Sequence, residues 1–302
     1  MSQDNAHLSS TAAYVQQLWV LRAVNRTILA PLDRVKYVMV CQRELQRLGT
    51  LRVDLPNTAS CIRHLRQLEG GRSFWRGNLV QVVSLLPITL AQLFIGPSAH
   101  SFFYHLIPNS SGSPFLCTLA EYTAFIGAAL AVAVITYPLD FVRFRLAVDL
   151  KAYKGAPYEF RHALSFFSHP VLNDCPHFLY RGLTLFILGS IFFGSIRSTL
   201  LDVVGPYLPP EKGEQDWRAI MIQTTAGMTI AGVATLCLHP VDLVRRRVMT
   251  TVTEDRLRYR SSWECALRIA KKEGWQGFYR GWGITLGRVV VGTGLMLLSL
   301  PN

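Results

Sequence analysis

Long stretches without a single charged residue recur along the chain. Residues 77–120, 122–139, 182–196, 219–241 and 289–302 contain no Asp, Glu, Lys or Arg. An apolar stretch of about 20 residues crosses a lipid bilayer as an α-helix. We therefore predict six membrane-spanning helices, near residues 14–41, 78–96, 117–148, 183–204, 218–250 and 282–300. Three short amphipathic segments are predicted to lie at the membrane surface, near residues 57–68, 159–168 and 261–271.

Two short sequence boxes divide the chain into three repeats. The first box is proline, a hydrophobic residue, aspartate and, three residues later, a base; it occurs as Pro31–Lys36, Pro138–Arg143 and Pro240–Arg245. The second box is an aromatic residue, arginine and glycine; it occurs as Trp75–Gly77, Tyr180–Gly182 and Tyr279–Gly281. Repetition at a fixed period indicates that each copy is one structural unit. We predict an all-α membrane protein of three pseudo-repeats with two spans each, over residues 1–108, 109–211 and 212–302.

The first box predicts a kink and an ion pair in each odd-numbered span. Proline inside a helix removes one backbone hydrogen bond, so Pro31, Pro138 and Pro240 are predicted to kink their helices. Ionisable groups near the hydrocarbon core pair across helices or face water. Under threefold pseudo-symmetry each aspartate can reach the base of another repeat, which predicts the pairs Asp33–Arg143, Asp140–Arg245 and Asp242–Lys36. The alternative is three local pairs within single helices. A ring of pairs between helices can close one end of a central cavity.

The proline-acid-base box in triplicate, each copy followed by the aromatic-arginine-glycine box, resembles the signature of the mitochondrial carriers over nearly the whole chain. The resemblance implies six transmembrane helices around a cavity, with short surface helices, in the mitochondrial inner membrane. It implies alternating access, in which the ring of ion pairs forms the gate on the matrix side. It also implies that Gly77, Gly182 and Gly281 lie where backbone amides at helix N-termini bind cardiolipin. The alternative for these boxes is a set of interfacial aromatic residues and helix starts.

Two isolated arginines lie deep inside predicted spans. Arg26 is five residues before Pro31, and Arg288 is seven residues after Gly281. A charged side chain at such a depth is costly unless it faces water or a ligand, or extends to the membrane surface. Guanidinium groups that face a cavity favour a solute with several negative charges, such as a phosphate or a carboxylate compound.

Three segments resemble the ADP/ATP carriers in particular: 137–147, 244–249 and 268–274. This likeness implies that Arg26 and Arg288 contact the solute, and that Gly189 and Ser190 form the contact point on the fourth span. The contact point on the second span, usually arginine, is Ser84. Phe193 and Gly194 replace a tyrosine-arginine pair, and Arg197, one turn further, is the expected substitute for that arginine.

The leading hypothesis is therefore an exchanger of adenine nucleotides. The alternatives are a carrier of another nucleotide or a cofactor, a carrier of a smaller anion such as phosphate or a carboxylate, and a degenerate carrier that serves as a scaffold or receptor. The lock expected at the opposite end of the cavity is weak: only Asp202 survives, beside Gly96-Pro97 and the terminal Leu300-Pro301-Asn302. The glutamines that usually brace the ring are replaced by Val40, Ala147 and Met249. A weak outer lock predicts a carrier that rests open to the intermembrane side.

The composition of the chain limits the functions and partners that remain to be considered. The chain is 50% hydrophobic and 17% charged, with a formal net charge of +12. No nucleic-acid motif accompanies this charge, so the expected partners are an anionic solute and anionic lipid. No motif of a phosphate-binding loop, metalloprotease or serine hydrolase occurs, and the six cysteines form no C-x-x-C pair, so neither an enzyme nor a metal site is expected. We expect free thiols, no cofactor other than bound cardiolipin, and a monomer.

Overall fold

The computed structural model describes residues 2–107, 114–168, 176–209, 217–251 and 259–298. Its α-helices are α1 (Ser2–Arg47), α2 (Thr58–Glu69), α3 (Asn78–Leu90), α4 (Gly96–Tyr104), α5 (Pro114–Val148), α6 (Ala163–Phe167), α7 (Leu183–Val204), α8 (Trp217–Thr250), α9 (Ser262–Lys272), α10 (Gly274–Phe278) and α11 (Trp282–Leu298). Short 3₁₀ turns at Gly71–Trp75, Pro176–Tyr180 and Gly205–Tyr207 flank α3 and α7. The regular structure in these ranges is all helical, and the predicted fold class is confirmed.

The six spans are α1, α3 with α4, α5, α7, α8 and α11, and two of them differ from the prediction. α1 has 46 residues and extends past residues 14–41 at both ends. The second span does not end near residue 96 but continues to Tyr104, because a π-helical segment, Ala91–Ile95, joins α3 to α4. Such a segment places one extra residue in the helix. Pro97, the second residue of α4, follows this segment after Gly96, and its missing N–H removes one helical donor to the preceding turn. Residues 299 and 300 of the predicted sixth span lie outside the described residues.

Four stretches are long and apolar enough to cross a membrane: Gly71–Tyr104, Leu119–Val148, His177–Tyr207 and Met221–Thr250. α1 is not one of these stretches because Arg22, Arg26 and Asp33 interrupt its apolar sequence. α11 is not one of them because its described part is short, with 17 residues from Trp282 to Leu298. Both nevertheless pack into the same bundle, since α1 contacts α3, α8 and α11. Their place among the spans follows from packing rather than from hydropathy.

The spans close into a ring. α1 contacts α3, α3 and α4 contact α5, α5 contacts α7, α7 contacts α8, α8 contacts α11, and α11 returns to α1. The three odd-numbered spans α1, α5 and α8 also contact one another, so they converge at one end of the bundle. The buried core lies at this end and includes Tyr137, Phe141, Phe144, Leu243 and Met249. Outer side chains such as Leu79 and Phe94 stay exposed, as expected of helices that face lipid.

Each odd-numbered span runs unbroken through its proline. In α1, Pro31 has no N–H, which leaves the carbonyl of Thr27 without its helical donor. The indole Nε1 of Trp75 donates to this carbonyl at 3.0 Å. An aromatic residue of the second box thus satisfies the group that the proline of the first box leaves open. The kinks at Pro31, Pro138 and Pro240 remain predictions.

The two boxes are joined in the other repeats by the side chain that precedes the proline. The hydroxyl of Tyr137 donates to the carbonyl of Arg181 at 2.8 Å. The Nε2 of His239 lies 3.0 Å from the carbonyl of Arg280. Each contact holds the start of an even-numbered span against the preceding odd-numbered span.

The predicted surface segments overlap α2, α6 and α9, of which α2 and α9 each end one residue later than predicted. α9 begins at a cap in which the Ser261 hydroxyl accepts a hydrogen bond from the Glu264 N–H at 3.1 Å. Burial raises the pKa of the Cys265 thiol in α9 to about 12, and burial does the same for Cys61 in α2. Both thiols therefore stay protonated at neutral pH. The five described cysteines form no disulfide, in agreement with the prediction of free thiols; Cys175 lies outside the described residues.

Candidate functional site: a cavity closed by charged pairs

A central cavity of about 740 Å³ is lined by all six spans. Its wall along α5 and α7 is largely apolar and includes Ile126, Ala129, Val132, Ile187 and Ile191. The charged residues that line it are Arg26, Asp33, Lys36, Asp140, Arg143, Arg245, Arg246 and Arg288. A second lobe of about 430 Å³ lies between α5, α7 and α8 and shares Phe125, Ala129, Phe186, Ser190 and Arg245 with the first. The charged end lies where the odd-numbered spans converge.

Three ion pairs join the repeats at this end. Arg245 Nη2 lies 2.6 Å from Asp140 Oδ2. Lys36 Nζ lies 3.3 Å from Asp242 Oδ2. Arg143 Nη2 lies 3.8 Å from Asp33 Oδ2, beyond hydrogen-bond distance. The structure thus places every aspartate of the first box beside the base that the repeat symmetry predicts.

Local contacts within α5 and α8 accompany this ring. Arg143 Nη1 is 3.4 Å from Asp140 Oδ1, and Arg245 Nη1 is 3.9 Å from Asp242 Oδ1. The shortest contact of Asp140 is the one to Arg245 of the next repeat. The pairs between helices and the local pairs are therefore not alternatives: each carboxylate on α5 and α8 has bases of both kinds.

Arg246 joins the ring as a fourth base. Its Nε donates to Asp242 Oδ1 at 3.2 Å, and its Nη1 lies 3.9 Å from Asp140 Oδ2. Arg246 follows Asp242 by four residues, which places the two on the same helix face. Arg246 is not among the residues predicted for the ring, although this spacing is visible in the sequence.

The two isolated arginines have different surroundings. The Arg288 guanidinium forms an ion pair with Asp33 Oδ1 and is 28% exposed to the cavity. Arg26 lines the same cavity but makes no hydrogen bond or ion pair with the described residues. Arg288 is thus a closer partner of Asp33 than Arg143 is. This contact was not predicted, because Arg288 carries no sign of it in the sequence.

Of the other predicted contact residues, Ser190 lines both lobes, and its hydroxyl donates to the Phe186 carbonyl at 2.8 Å. Gly189 and Arg197 line only the second lobe. Ser84 lines neither lobe: it is 5% exposed, and its hydroxyl donates to the carbonyl of Gln81 at 2.9 Å. The expected contact between Ser84 and the solute is therefore not supported by its position, since a short side chain bonded to its own helix does not reach the cavity.

Positive charge prevails in the two lobes. Seven Lys and Arg side chains and three Asp side chains line them. Because the three aspartates are taken up by the ring, Arg26 and Arg197 remain without a carboxylate partner among the described residues. The arrangement can hold a polyanion at the ring end and an apolar or flat group along α5 and α7. The described residues contain no cluster of His, Cys, Asp and Glu that could hold a metal ion.

The opposite end of the cavity carries few polar contacts. Arg22 reaches from α1 to the second span, where its Nη1 lies 3.3 Å from both Thr89 Oγ1 and Gln92 Oε1. His100 Nε2 lies 3.5 Å from Glu121 Oε2, and both side chains are largely exposed. Asp202 is exposed and forms no ion pair within the described ranges, and residues 300–302 lie outside them. The described part of this end therefore contains no counterpart of the ring.

A second tier of ion pairs ties each odd-numbered span to its own repeat. Arg34 Nη2 lies 2.5 Å from Glu69 Oε2 at the end of α2. Arg145 Nη2 lies 3.1 Å from Glu159 Oε1. Arg247 Nη2 donates to Glu273 Oε2 at 2.8 Å. These ion pairs lie within single repeats, but each arginine also donates to a backbone carbonyl of another repeat: Arg34 to Asp149, Arg145 to Thr250 and Arg247 to Val40. The second tier therefore both holds each repeat together and joins it to a neighbouring repeat.

The three glycines of the second boxes lie at positions where the backbone conformation favours glycine. Gly77, Gly182 and Gly281 have φ angles of 83°, 86° and 79°, in the region that glycine adopts without strain. A Cβ atom on Gly77 would lie 3.1 Å from the carbonyl oxygen of Arg143, so another repeat packs directly against it. Each glycine immediately precedes an even-numbered span, whose first N–H groups have no helical acceptor. These features fit an anion at the helix N-terminus and also a purely structural role.

Replacement of Gly77 by Ala is expected to lower stability more than replacement of Gly49 by Ala. Gly77 and Gly49 have positive φ angles of 83° and 75°, so each change places an L side chain in a rarely adopted conformation, which costs about 1–2 kcal/mol. A Cβ on Gly49 meets nothing within 4 Å, whereas one on Gly77 presses on the backbone of α5. Thermal unfolding of the two purified variants measures the difference. Equal melting temperatures would mean that α5 yields to the added methyl group.

Comparison with known proteins agrees with this architecture. The family model described as "Mitochondrial carrier protein" matches residues 19–105, 118–212 and 216–300. An ADP,ATP carrier protein of Schizosaccharomyces pombe is 31% identical over 279 residues, which cover 92% of this chain and 84% of the relative. ADP,ATP carrier protein 2 of Zea mays is 30% identical over a match that covers 92% of this chain and 70% of the relative. ADP,ATP carrier protein 3 of Saccharomyces cerevisiae is 27% identical over a match that covers 92% of this chain and 88% of the relative.

The three matched ranges correspond to three repeats of two spans, and the likeness to ADP,ATP carriers extends over nearly the whole chain. Proteins of this family are solute carriers that cross the mitochondrial inner membrane several times, which fits the long apolar helices of the bundle. The chain is a multi-pass protein of the mitochondrial inner membrane and belongs to the mitochondrial carrier family.

Proposed function

We propose that the protein exchanges adenine nucleotides across the inner membrane by alternating access. The observation that carries this proposal is the position of Arg26 and Arg288, two guanidinium groups that line one cavity at the ring end. Arg26 forms no ion pair with the described residues, and Arg288 is partly exposed to the cavity. Two such groups suit a solute with adjacent phosphates.

The shape of the cavity supports a solute with a flat apolar part. The wall formed by α5 and α7 carries small and branched side chains beside Phe125 and Phe186. Gly189 and Ser190 keep the wall of α7 thin where the two lobes meet. A cavity of about 740 Å³ is of the size that binds ligands as large as nucleotides. The relatives named as ADP,ATP carriers are consistent with such a solute.

Solute binding opens the ring by competition for Arg288. In the structure Asp33 is held by Arg288 and, more distantly, by Arg143. A phosphate that takes Arg288 leaves Asp33 with the weaker of its two partners. The ring on the matrix side then separates, the three repeats move apart, and the solute passes. No covalent step is involved, and we assign the protein no enzymatic activity.

Two further parts of the proposal concern lipid and assembly. Free N–H groups at the starts of α3, α7 and α11 would bind the phosphates of cardiolipin beside Gly77, Gly182 and Gly281. The cavity and the ring are built from one chain, so a monomer would suffice for transport. Neither role changes the assignment of the solute.

A smaller anion is the second candidate, because the second span contributes no lysine or arginine to the cavity. Ser84 stands where an arginine is usual and does not reach the cavity. Arg197 lies in the side lobe rather than in the main cavity. A scaffold without transport is the third candidate, and the complete ring argues against it, since a scaffold needs no pairs that can separate.

A thermal-shift panel on the detergent-purified protein separates these candidates. We expect ADP and ATP to raise the melting temperature, because a ligand present at about 100 times its Kd stabilises the native state by about 2.7 kcal/mol. Phosphate, a dicarboxylate and a pyrimidine nucleotide should give smaller shifts. Exchange of ADP and ATP in liposomes is the follow-up. A shift with phosphate alone would support the smaller anion, and no shift from folded protein would support the scaffold.

A further inference from the structure

One side chain from each repeat meets at the point where the odd-numbered spans converge. Tyr37, Phe144 and Arg246 each follow the proline of their own first box by six residues. Equivalent positions on three helices related by pseudo-threefold symmetry approach the same axis. Tyr37 is 4%, Phe144 0% and Arg246 8% exposed. The three residues, which we term the axial triad, therefore lie in the buried core rather than on the surface of the bundle.

The axial triad is held by contacts of each member with the other two. The guanidinium carbon of Arg246 lies 4.9 Å from the ring centre of Tyr37 and 5.0 Å from that of Phe144. The two aromatic rings are 5.3 Å apart and meet edge to face, with 79° between their planes. These are favourable geometries for cation–π and aromatic contacts.

The axial triad lies directly against the ring of ion pairs. Arg143 Nη2 donates to the Tyr37 hydroxyl at 2.7 Å, and Arg246 Nε donates to Asp242. Tyr37 and Arg246 line the cavity, whereas Phe144 does not line it and is fully buried. Phe144 therefore lies behind the charged floor, on the side away from the cavity.

We infer that the axial triad is a second seal of the ring end, in series with the ion pairs. Charged pairs alone leave a polar path along which water and small ions can move, whereas two packed aromatic rings exclude water. Each contact of the triad joins two repeats, so none can persist when the odd-numbered spans separate. The triad therefore stabilises the state that is closed at this end, and its members are positioning residues. The inference rests on the proposed alternating access, not on the identity of the solute.

Accessibility of a cavity cysteine tests this seal without any solute. Thr136 lines the cavity, and Thr136→Cys in a background with all six native cysteines replaced by Ala supplies the probe. A membrane-impermeant thiol reagent is applied to proteoliposomes from one side at a time. With the axial triad intact, we expect labelling only from the side of the membrane opposite the ring, which we call the mouth side. Phe144→Leu is expected to raise ring-side labelling about tenfold, the effect of losing about 1.4 kcal/mol of contacts between repeats.

The matched control is Phe141→Leu. Phe141 lies on the same helix, is equally buried and loses the same atoms, but its ring contact is with Phe166 and it does not occupy the triad position six residues after the proline. Tyr37→Phe is a milder variant that keeps the ring over Arg246 and loses only the hydroxyl that Arg143 contacts, so its labelling should rise less than that of Tyr37→Leu. Ring-side labelling of Phe144→Leu no faster than that of Phe141→Leu would overturn the second seal. Ring-side labelling of the parent as fast as mouth-side labelling would instead overturn the proposed gate itself.

Discussion

Replacement of Asp140 by Asn is expected to destabilise the protein by about 3 kcal/mol, the lower end of the range for breaking a buried ion pair. Asp140 has three guanidinium groups around it: Arg245 at 2.6 Å, Arg143 at 3.4 Å and Arg246 at 3.9 Å. Without its charge these three guanidinium groups repel one another. We choose the lower end because the Asp140 side chain is 28% exposed to the cavity, where water screens the charges.

The loss is measured as a fall in the melting temperature of the detergent-purified variant. Asp54→Asn is the matched control, since Asp54 also pairs with an arginine, Arg43 at 3.5 Å, but is 65% exposed. It should change stability by less than about 1 kcal/mol. Lost exchange with an unchanged melting temperature would mean that Asp140 serves the transport cycle without holding the closed state together. Equal effects of both variants would contradict the central place of Asp140 in the ring.

Replacement of Arg288 by Gln is expected to remove the stabilisation by nucleotide and to lower exchange about 10- to 100-fold. The factor corresponds to the loss of one hydrogen bond to a charged group, about 1.5–3 kcal/mol. Arg288 also holds Asp33, so the variant should weaken the ring even without solute. Melting temperatures with and without ADP separate these two contributions, and exchange in liposomes gives the rate.

Two variants sharpen the assignment of Arg288. Arg288→Lys keeps the charge but not the planar pair of donors, so an intermediate response to ADP is expected. Arg22→Gln removes an arginine from another span, but Arg22 contacts Thr89 and Gln92 and does not line the cavity, so the response to ADP should be nearly unchanged. A full ADP response in Arg288→Gln would confine Arg288 to the ring and leave Arg26 as the phosphate contact.

Symmetry made part of this site predictable from the sequence. Three copies of the proline-acid-base box define three equivalent helices, and equivalent helices around one axis leave few partners for each aspartate. The positions of Asp140 and Arg245 follow from that reasoning with no knowledge of side-chain conformations. The same argument could have found the axial triad, because Tyr37, Phe144 and Arg246 share one offset from their prolines. It was missed because the three residues differ in type.

The contacts that break the symmetry could not be predicted. Arg288 has no counterpart in the first two repeats, and its pairing with Asp33 depends on how far a long side chain reaches between α11 and α1. Ser84 is another case: its position along the second span was clear, but the rotation of that helix decides whether a residue meets the cavity or the core. Hydrophobic periodicity indicates such a rotation poorly in a span that is apolar on every side.

The π-helical segment Ala91–Ile95 alters the comparison of this chain with its relatives. One extra residue in a turn shifts all following side chains by about 100° around the helix axis, relative to an uninterrupted α-helix of 3.6 residues per turn. Against a relative whose second span is α-helical throughout, an alignment without gaps is in phase up to Leu90 and out of phase beyond Ile95. Gly96-Pro97 would then be compared with residues that face another direction. Residues that could close the cavity at the end opposite the ring are therefore better identified by the direction in which their side chains point than by their position in a sequence alignment.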